Sequence, residues 1–186
     1  LPEHLHLPEI ELARVESALW NRDGDAMLGS LAEVPEPVIE TQLVYYPTSL
    51  LAAWAHQLRG DQPAAHLAFD SARVVLERLI AEAPNDERLV NSLGYANAGL
   101  GRSQAAADGS VRSTLARQRA GLEMSETPGR ILAQANLPDL AIPHLEALLE
   151  ADSPFSAQTL RLDPLLDPIR DHPEFKALVE RHGGSN

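Results

Sequence analysis

Gly60-Asp61-Gln62-Pro63-Ala64-Ala65-His66-Leu67-Ala68-Phe69-Asp70-Ser71-Ala72 is the stretch that decides how the chain folds. Gly60-Asp61 stops one helical pattern. Pro63 suits the first turn of the next, where its missing N–H is no loss. Counted from Gly60, Ala65, Phe69 and Ala72 fall at +5, +9 and +12, which is one face of a helix. Two small residues on that face let a neighbouring helix approach, and the large one between them fills the remaining space.

Working outward, comparable breaks occur at Gly24-Asp25, Gly101-Arg102 and Asn136-Leu137, at intervals of 36, 41 and 35 residues. A helix–turn–helix unit at a near-fixed period is expected to stack on its neighbours, because one pair cannot bury its apolar face alone. A generic bundle is the alternative, but it has no reason to space its breaks regularly. Around Gly101, Leu93-Gly94 precede the break and Ala106 follows at +5, with Ser110 and Ser113 at +9 and +12. Around Asn136, Gly129 precedes it, and Ala141, Leu145 and Leu148 follow at the same offsets. The Gly24 unit matches least, with Gly29 and Glu33 at +5 and +9.

The pattern predicts helices over about 8–21, 26–32, 47–58, 63–83, 87–100, 103–122, 127–135, 138–151, 156–162 and 171–183. Val38 to Tyr46 reads either as a helical extension or as an extended connector. Gly109 weakens the helix it sits in, and Pro143 is expected to kink its helix or delay its start. Asp163-Pro164 and Asp167-Pro168 predict turns and short 3-10 pieces. No strand-like alternation stands out.

Composition supports this reading. Ala and Leu abound, aromatic residues are only 4%, and 44% apolar with 23% charged residues is the balance of a folded chain. The 186 residues can bury a core. A net charge of −12 argues against nucleic acid or an anionic membrane as partner. With no cysteine, disulfides, thiolate metal sites and cysteine nucleophiles are excluded. No apolar run is long enough to span a bilayer. Position 1 is Leu and no leader pattern follows, so an excised fragment or processed product is expected. A compartment is not readable, with the cytoplasm favoured over the periplasm.

Two stretches carry a family resemblance. Leu93-Gly94-Tyr95-Ala96-Asn97-Ala98-Gly99-Leu100-Gly101-Arg102 resembles the "LGxAxAGLGR" stretch of a bacterial tetratricopeptide-repeat family. The ending from Leu160 to Phe175, LRLDPLLDPIRDHPEF, is similar to that family's "LRLDPxxDPLRDxPRF" terminus. The resemblance spans about Pro47 to Arg181. It implies an all-α, right-handed solenoid of about four helix pairs with a C-terminal helical cap. The expected divisions are a degenerate pair and connector at 1–46, repeats at 47–151 and a capping tail at 152–186. It also implies a C-terminal scaffold module of multidomain bacterial regulators, whose other domains include winged-helix, kinase or cyclase, and TolB-like parts.

No catalytic or metal-binding pattern competes with this. His4-x-His6 is a lone pair near a terminus, and no His-Glu-x-x-His or Gly-x-Ser-x-Gly occurs. The chain is therefore expected to be no enzyme and to need no cofactor or metal. Glu9, Glu11, Glu16, Glu33, Glu36 and Glu40 form either a solvated acidic face or a docking face for a basic segment.

The remaining candidate is the concave surface lined by first helices. By repeat position, its exposed side chains are expected to be Trp54, Gln57, Arg88, Asn91, Tyr95, Arg130 and Gln134. Aromatic, amide and Arg side chains suit peptide recognition. The alternative for Trp54 and Tyr95 is core between repeats. The carboxylate clamp of some chaperone-binding relatives is not matched. The expected function is non-catalytic protein–protein interaction with a peptide, a protein or domains of its own parent chain. An oligomerisation module is the competing reading.

Overall fold

The computed structural model describes residues 7–151 and 155–183. His4 and His6 lie outside them. Ten α-helices occur among the described residues: α1 (Pro8–Trp20), α2 (Gly24–Ala32), α3 (Thr48–Leu58), α4 (Gln62–Glu82), α5 (Glu87–Gly99), α6 (Ser103–Arg119), α7 (Thr127–Gln134), α8 (Pro138–Glu150), α9 (Ala157–Leu162) and α10 (Pro173–Gly183). A 3-10 turn spans Pro164–Ile169. The all-α expectation holds with one addition. Val38 to Tyr46 is extended, and β1 (Val38–Glu40) pairs antiparallel with β2 (Tyr45–Pro47), Ile39 opposite Tyr46. Three-residue strands are too short to show alternation in sequence.

The turns inside the first four helix pairs share one backbone geometry. Arg22, Gly60, Gly101 and Asn136 each adopt positive φ, between 53° and 74°. At each, that residue's N–H bonds three residues back and the next N–H bonds five residues back. Gly60 N–H reaches Gln57 O and Asp61 N–H reaches His56 O, and Asn136 and Leu137 do the same to Ala133 and Leu132. This closes the orphan carbonyls of each first helix. In the first pair the left-handed residue is Arg22, not Gly24. Gly24 instead opens α2, where an added Cβ would lie 2.5 Å from the Ala55 carbonyl oxygen of α3. Asp23 and Asp61 then cap α2 and α4 by accepting from Ala26 N–H and Ala64 N–H.

The chain divides into two compact units, residues 1–92 and 93–186, with the division inside α5. In the first unit α1 packs on α2, α2 on α3, and α3 on α4. Val15, Leu19, Met27, Ile39, Leu50, Leu51, Phe69 and Leu76 are buried there. Ala65 and Ala72 flank Phe69 and are buried with it, as the opening stretch predicts.

In the second unit α6 packs on α7, α7 on α8, and α10 on both α8 and α9. Ala106, Ser110 and Ser113 of α6 are buried, and so are Ala141, Leu145 and Leu148 of α8. Gly94 and Gly129 accept close neighbours: a Cβ would lie 2.9 Å from Ile131 Cδ1 and 2.8 Å from Leu145 Cδ2. Helix α6 runs through Gly109 and ends at Arg119, short of the expected Leu122. Helix α8 begins at Pro138 and runs through Pro143, whose ring faces solvent. The tail joins this core through Leu160, Leu166, Ile169, Phe175 and Leu178, with Phe155 partly buried. Leu165 is also buried, whereas Leu162 is exposed.

Candidate functional site

The seven expected surface residues fall in both units. In the first unit, Trp54 is 3% exposed and sits in the core instead of lining an open surface. Tyr46 of β2 meets its ring edge-on at 5.7 Å, a favourable T-shaped arrangement. Gln57 is half-buried near the end of α3. Arg88, at the start of α5, is occupied by its own unit. Its guanidinium donates to Asp86 Oδ2 at 2.8 Å and to the Thr41 carbonyl at 2.7 Å, and pairs with Glu40 at 3.0 Å. One turn later, Ser92 Oγ donates to the Tyr45 carbonyl at 2.6 Å. The half-buried Asn91 leaves its Oδ1 without a hydrogen-bond partner among the described residues.

These polar side chains therefore hold the β1–β2 hairpin by its backbone carbonyls. Electrostatics follow the geometry. The Asp86 carboxyl lies below the ordinary aspartate range, because Arg88 hydrogen-bonds its charged form against the opposing effect of burial. Burial, then the Glu40 carboxylate, pushes the Tyr45 hydroxyl up.

In the second unit, Tyr95 is 1% exposed and is also core. Arg130 of α7 donates from Nε to Asp163 Oδ2 at 2.6 Å and from Nη1 to Glu126 at 3.1 Å. Burial works to lower the pKa of Arg130, but Asp163, then Tyr95 and Glu126, outweigh it and raise the value. Asp163 is itself buried, and its other oxygen accepts from Leu165 N–H at 2.9 Å, capping the 3-10 turn. Gln134 Nε2 donates to the Leu165 carbonyl at 2.8 Å. The tail is thus held on α7 as the hairpin is held on α5.

The sequence reading therefore found the side chains but not their occupants. Glu40, Thr41, Tyr45 and Asp163 carry the other half of each contact. The Asp163-Pro164 pair predicts the turn and the 3-10 piece, and an aspartate before a turn proline is also a ready N-cap. The hairpin residues gave no comparable signal. Among the described residues, no group of three or more His, Asp or Glu side chains gathers to hold a metal ion. No helix there is long and apolar enough to cross a membrane. The chain matches no family model, no curated protein and no solved structure.

Proposed function

We propose that this chain is a non-catalytic helical-repeat module that mediates protein–protein interaction, of the tetratricopeptide kind found in bacterial regulatory and signalling proteins. The observation that supports this reading is the repeated hairpin of helices. Four helix pairs turn through the same left-handed residue, and small residues are buried at matching offsets in α4 and α6. Pairs built alike stack into a right-handed solenoid whose first helices line a concave surface. Among the described residues, Gln57 and Asn91 are the half-buried first-helix positions that hold no segment of their own unit, Asn91 with its Oδ1 buried.

A second reading is favoured by a specific observation. Arg88, Arg130 and Gln134 already hold segments of their own units. Such residues serve an intramolecular regulatory module, in which the chain's own segments fill the positions a peptide takes elsewhere.

Quantitative affinity capture from the producing cell, with the intact chain and with Gln57→Ala/Asn91→Ala, tests the first reading. A partner whose recovery falls with the double variant supports it. Equal recovery of every partner removes the concave surface from the reading and leaves the intramolecular one.

A further inference from the structure

The outer face of α6 is the local exception to the chain's acidity. Residues 101–121 hold Arg102, Arg112, Arg117 and Arg119 against the single acid Asp108, in a chain of net charge −12. The buried side of α6 is Ala106, Ala107, Ser110 and Ser113. The opposite side exposes Val111 (57%) and Leu115, then Gln118, and beyond the helix end Leu122. Val111, Leu115 and Gln118 recur at spacings of four and three and form one stripe, and Leu122 follows it past the left-handed Gly121. Arg112 and Arg119 lie along one edge of it, two turns apart, and neither has an ion-pair partner among the described residues. Beside the stripe is a shallow surface depression, lined by Gln118, Leu122, Met124, Pro128 and His144 among others.

A complementary face exists on the same chain. The described part of 7–36 carries seven acids against Arg14 and Arg22. Helix α1 buries Val15, Ala18 and Leu19 and exposes Ile10 (49%), Ala13, Ser17 and Trp20 on its other side. Glu9 and Glu16 border that stripe, also two turns apart. The opposite border is Arg14, which is paired with Glu33 at 3.2 Å.

We propose that the outer face of α6 docks helix α1 of a second copy of this chain. Both stripes repeat every seven residues, and a helix rises about 1.5 Å per residue, so the charges match at about 10.5 Å spacing. Laid parallel, Glu9 meets Arg112 and Glu16 meets Arg119, the edge pairing that parallel helices use. The same register sets Trp20 over Gln118, next to the depression. In this register Ile10 lies over Asp108 with Val111 one turn on, and Trp20 lies between Leu115 and Leu122, so Trp20 and the α6 side chains supply most of the apolar part of the contact. The contact joins two different surfaces, so a copy docked through one of them still carries the other and further copies can add.

Sedimentation equilibrium of the whole chain, from micromolar to sub-millimolar concentration, tests this. At low salt the average mass is expected to rise continuously with concentration, and added salt to reverse the rise. Arg112→Glu/Arg119→Glu is expected to stay at 20.2 kDa, and so is Glu9→Lys/Ile10→Asp. An equimolar mixture of the two variants is expected to form a complex of two chains and nothing larger, because each keeps one working face. All four substitutions are at exposed positions, and circular dichroism checks that each variant is folded. Leu115→Ser, which keeps every charge, is a further variant expected to weaken association. A wild-type chain that is monomeric throughout overturns the proposal and leaves the α6 face to an acidic helix of another protein. A mass that levels off at two copies and survives Arg112→Glu/Arg119→Glu overturns it as well.

Discussion

Arg88 in the first unit and Arg130 in the second are both first-helix arginines that hold an irregular segment of their own unit, but they act at different depths. The Arg88 side chain is 28% exposed, and its partner Glu40 is 49% exposed. The Arg130 side chain is 18% exposed, and its partner Asp163 only 2%. The same charge pairing therefore carries different weight. Around Arg88 water still screens the ions, and such pairs contribute little. Around Arg130 the ions have lost most of their water; removing Arg130 leaves Asp163 buried without its cation, and removing Asp163 leaves Arg130 with Glu126 alone. The hairpin is tethered, while the tail is built in.

The largest expected effect comes from breaking the deeper pair. Asp163→Ala is expected to destabilise the chain by about 3 kcal/mol, because it leaves the mostly buried Arg130 with Glu126 alone and also removes the cap on Leu165 N–H. Asp163→Asn keeps a capping oxygen and is expected to cost less. Urea denaturation of the three proteins checks the order. Equal midpoints for wild type and Asp163→Ala would break the distinction between the two arginines.

Next is a test of how tightly helices meet in each unit. In Gly24→Ala the new methyl faces the backbone oxygen of Ala55, which cannot rotate away. A loss of about 1–3 kcal/mol is expected, in the range for overpacking. In Gly129→Ala the methyl faces Leu145 and His144 side chains, which can adjust. Its cost is expected to be smaller, and a larger one would show that the second unit is the stiffer.

Most of the fold was legible because Gly, Pro and Asp punctuate it. Gly60, Gly101 and Asn136 mark turns that need a left-handed residue, and only at Arg22 did an ordinary side chain take that role. The hairpin was illegible for two reasons. Its strands are three residues long, and what holds them is remote: Arg88 is 47 residues from Thr41. Asp163 is likewise 33 residues from Arg130. Repeat position puts the expected surface side chains on α3, α5 and α7. It could not say that Trp54 and Tyr95 would be buried, since that depends on the segments folded against them.

The shallower pair gives a smaller effect. Arg88→Met keeps the length of the side chain and removes the donors to Thr41, Glu40 and Asp86. About 1–2 kcal/mol is expected, since the site is partly solvated. Hydrogen exchange should speed up selectively over residues 38–47, while the tail around 163–169 keeps its protection. Uniform acceleration across both segments would mean that the hairpin is built in as deeply as the tail.

The smallest effect is a titration. Asp86 is held below the ordinary aspartate range, chiefly by the hydrogen bond from Arg88. A carboxyl depressed in the folded state favours folding above the unfolded value, and that contribution disappears as pH falls through the folded one. Acid should therefore loosen the hairpin, because protonated Asp86 no longer fixes the guanidinium that reaches Thr41. Carboxyl-carbon NMR of Asp86 reads this directly. In the wild type it should titrate below the ordinary range, and in Arg88→Met it should return toward it. An unchanged Asp86 titration in Arg88→Met would mean that something other than Arg88 sets the charge at this site, and the hairpin's tether would then have to be sought in Ser92 and Ile39.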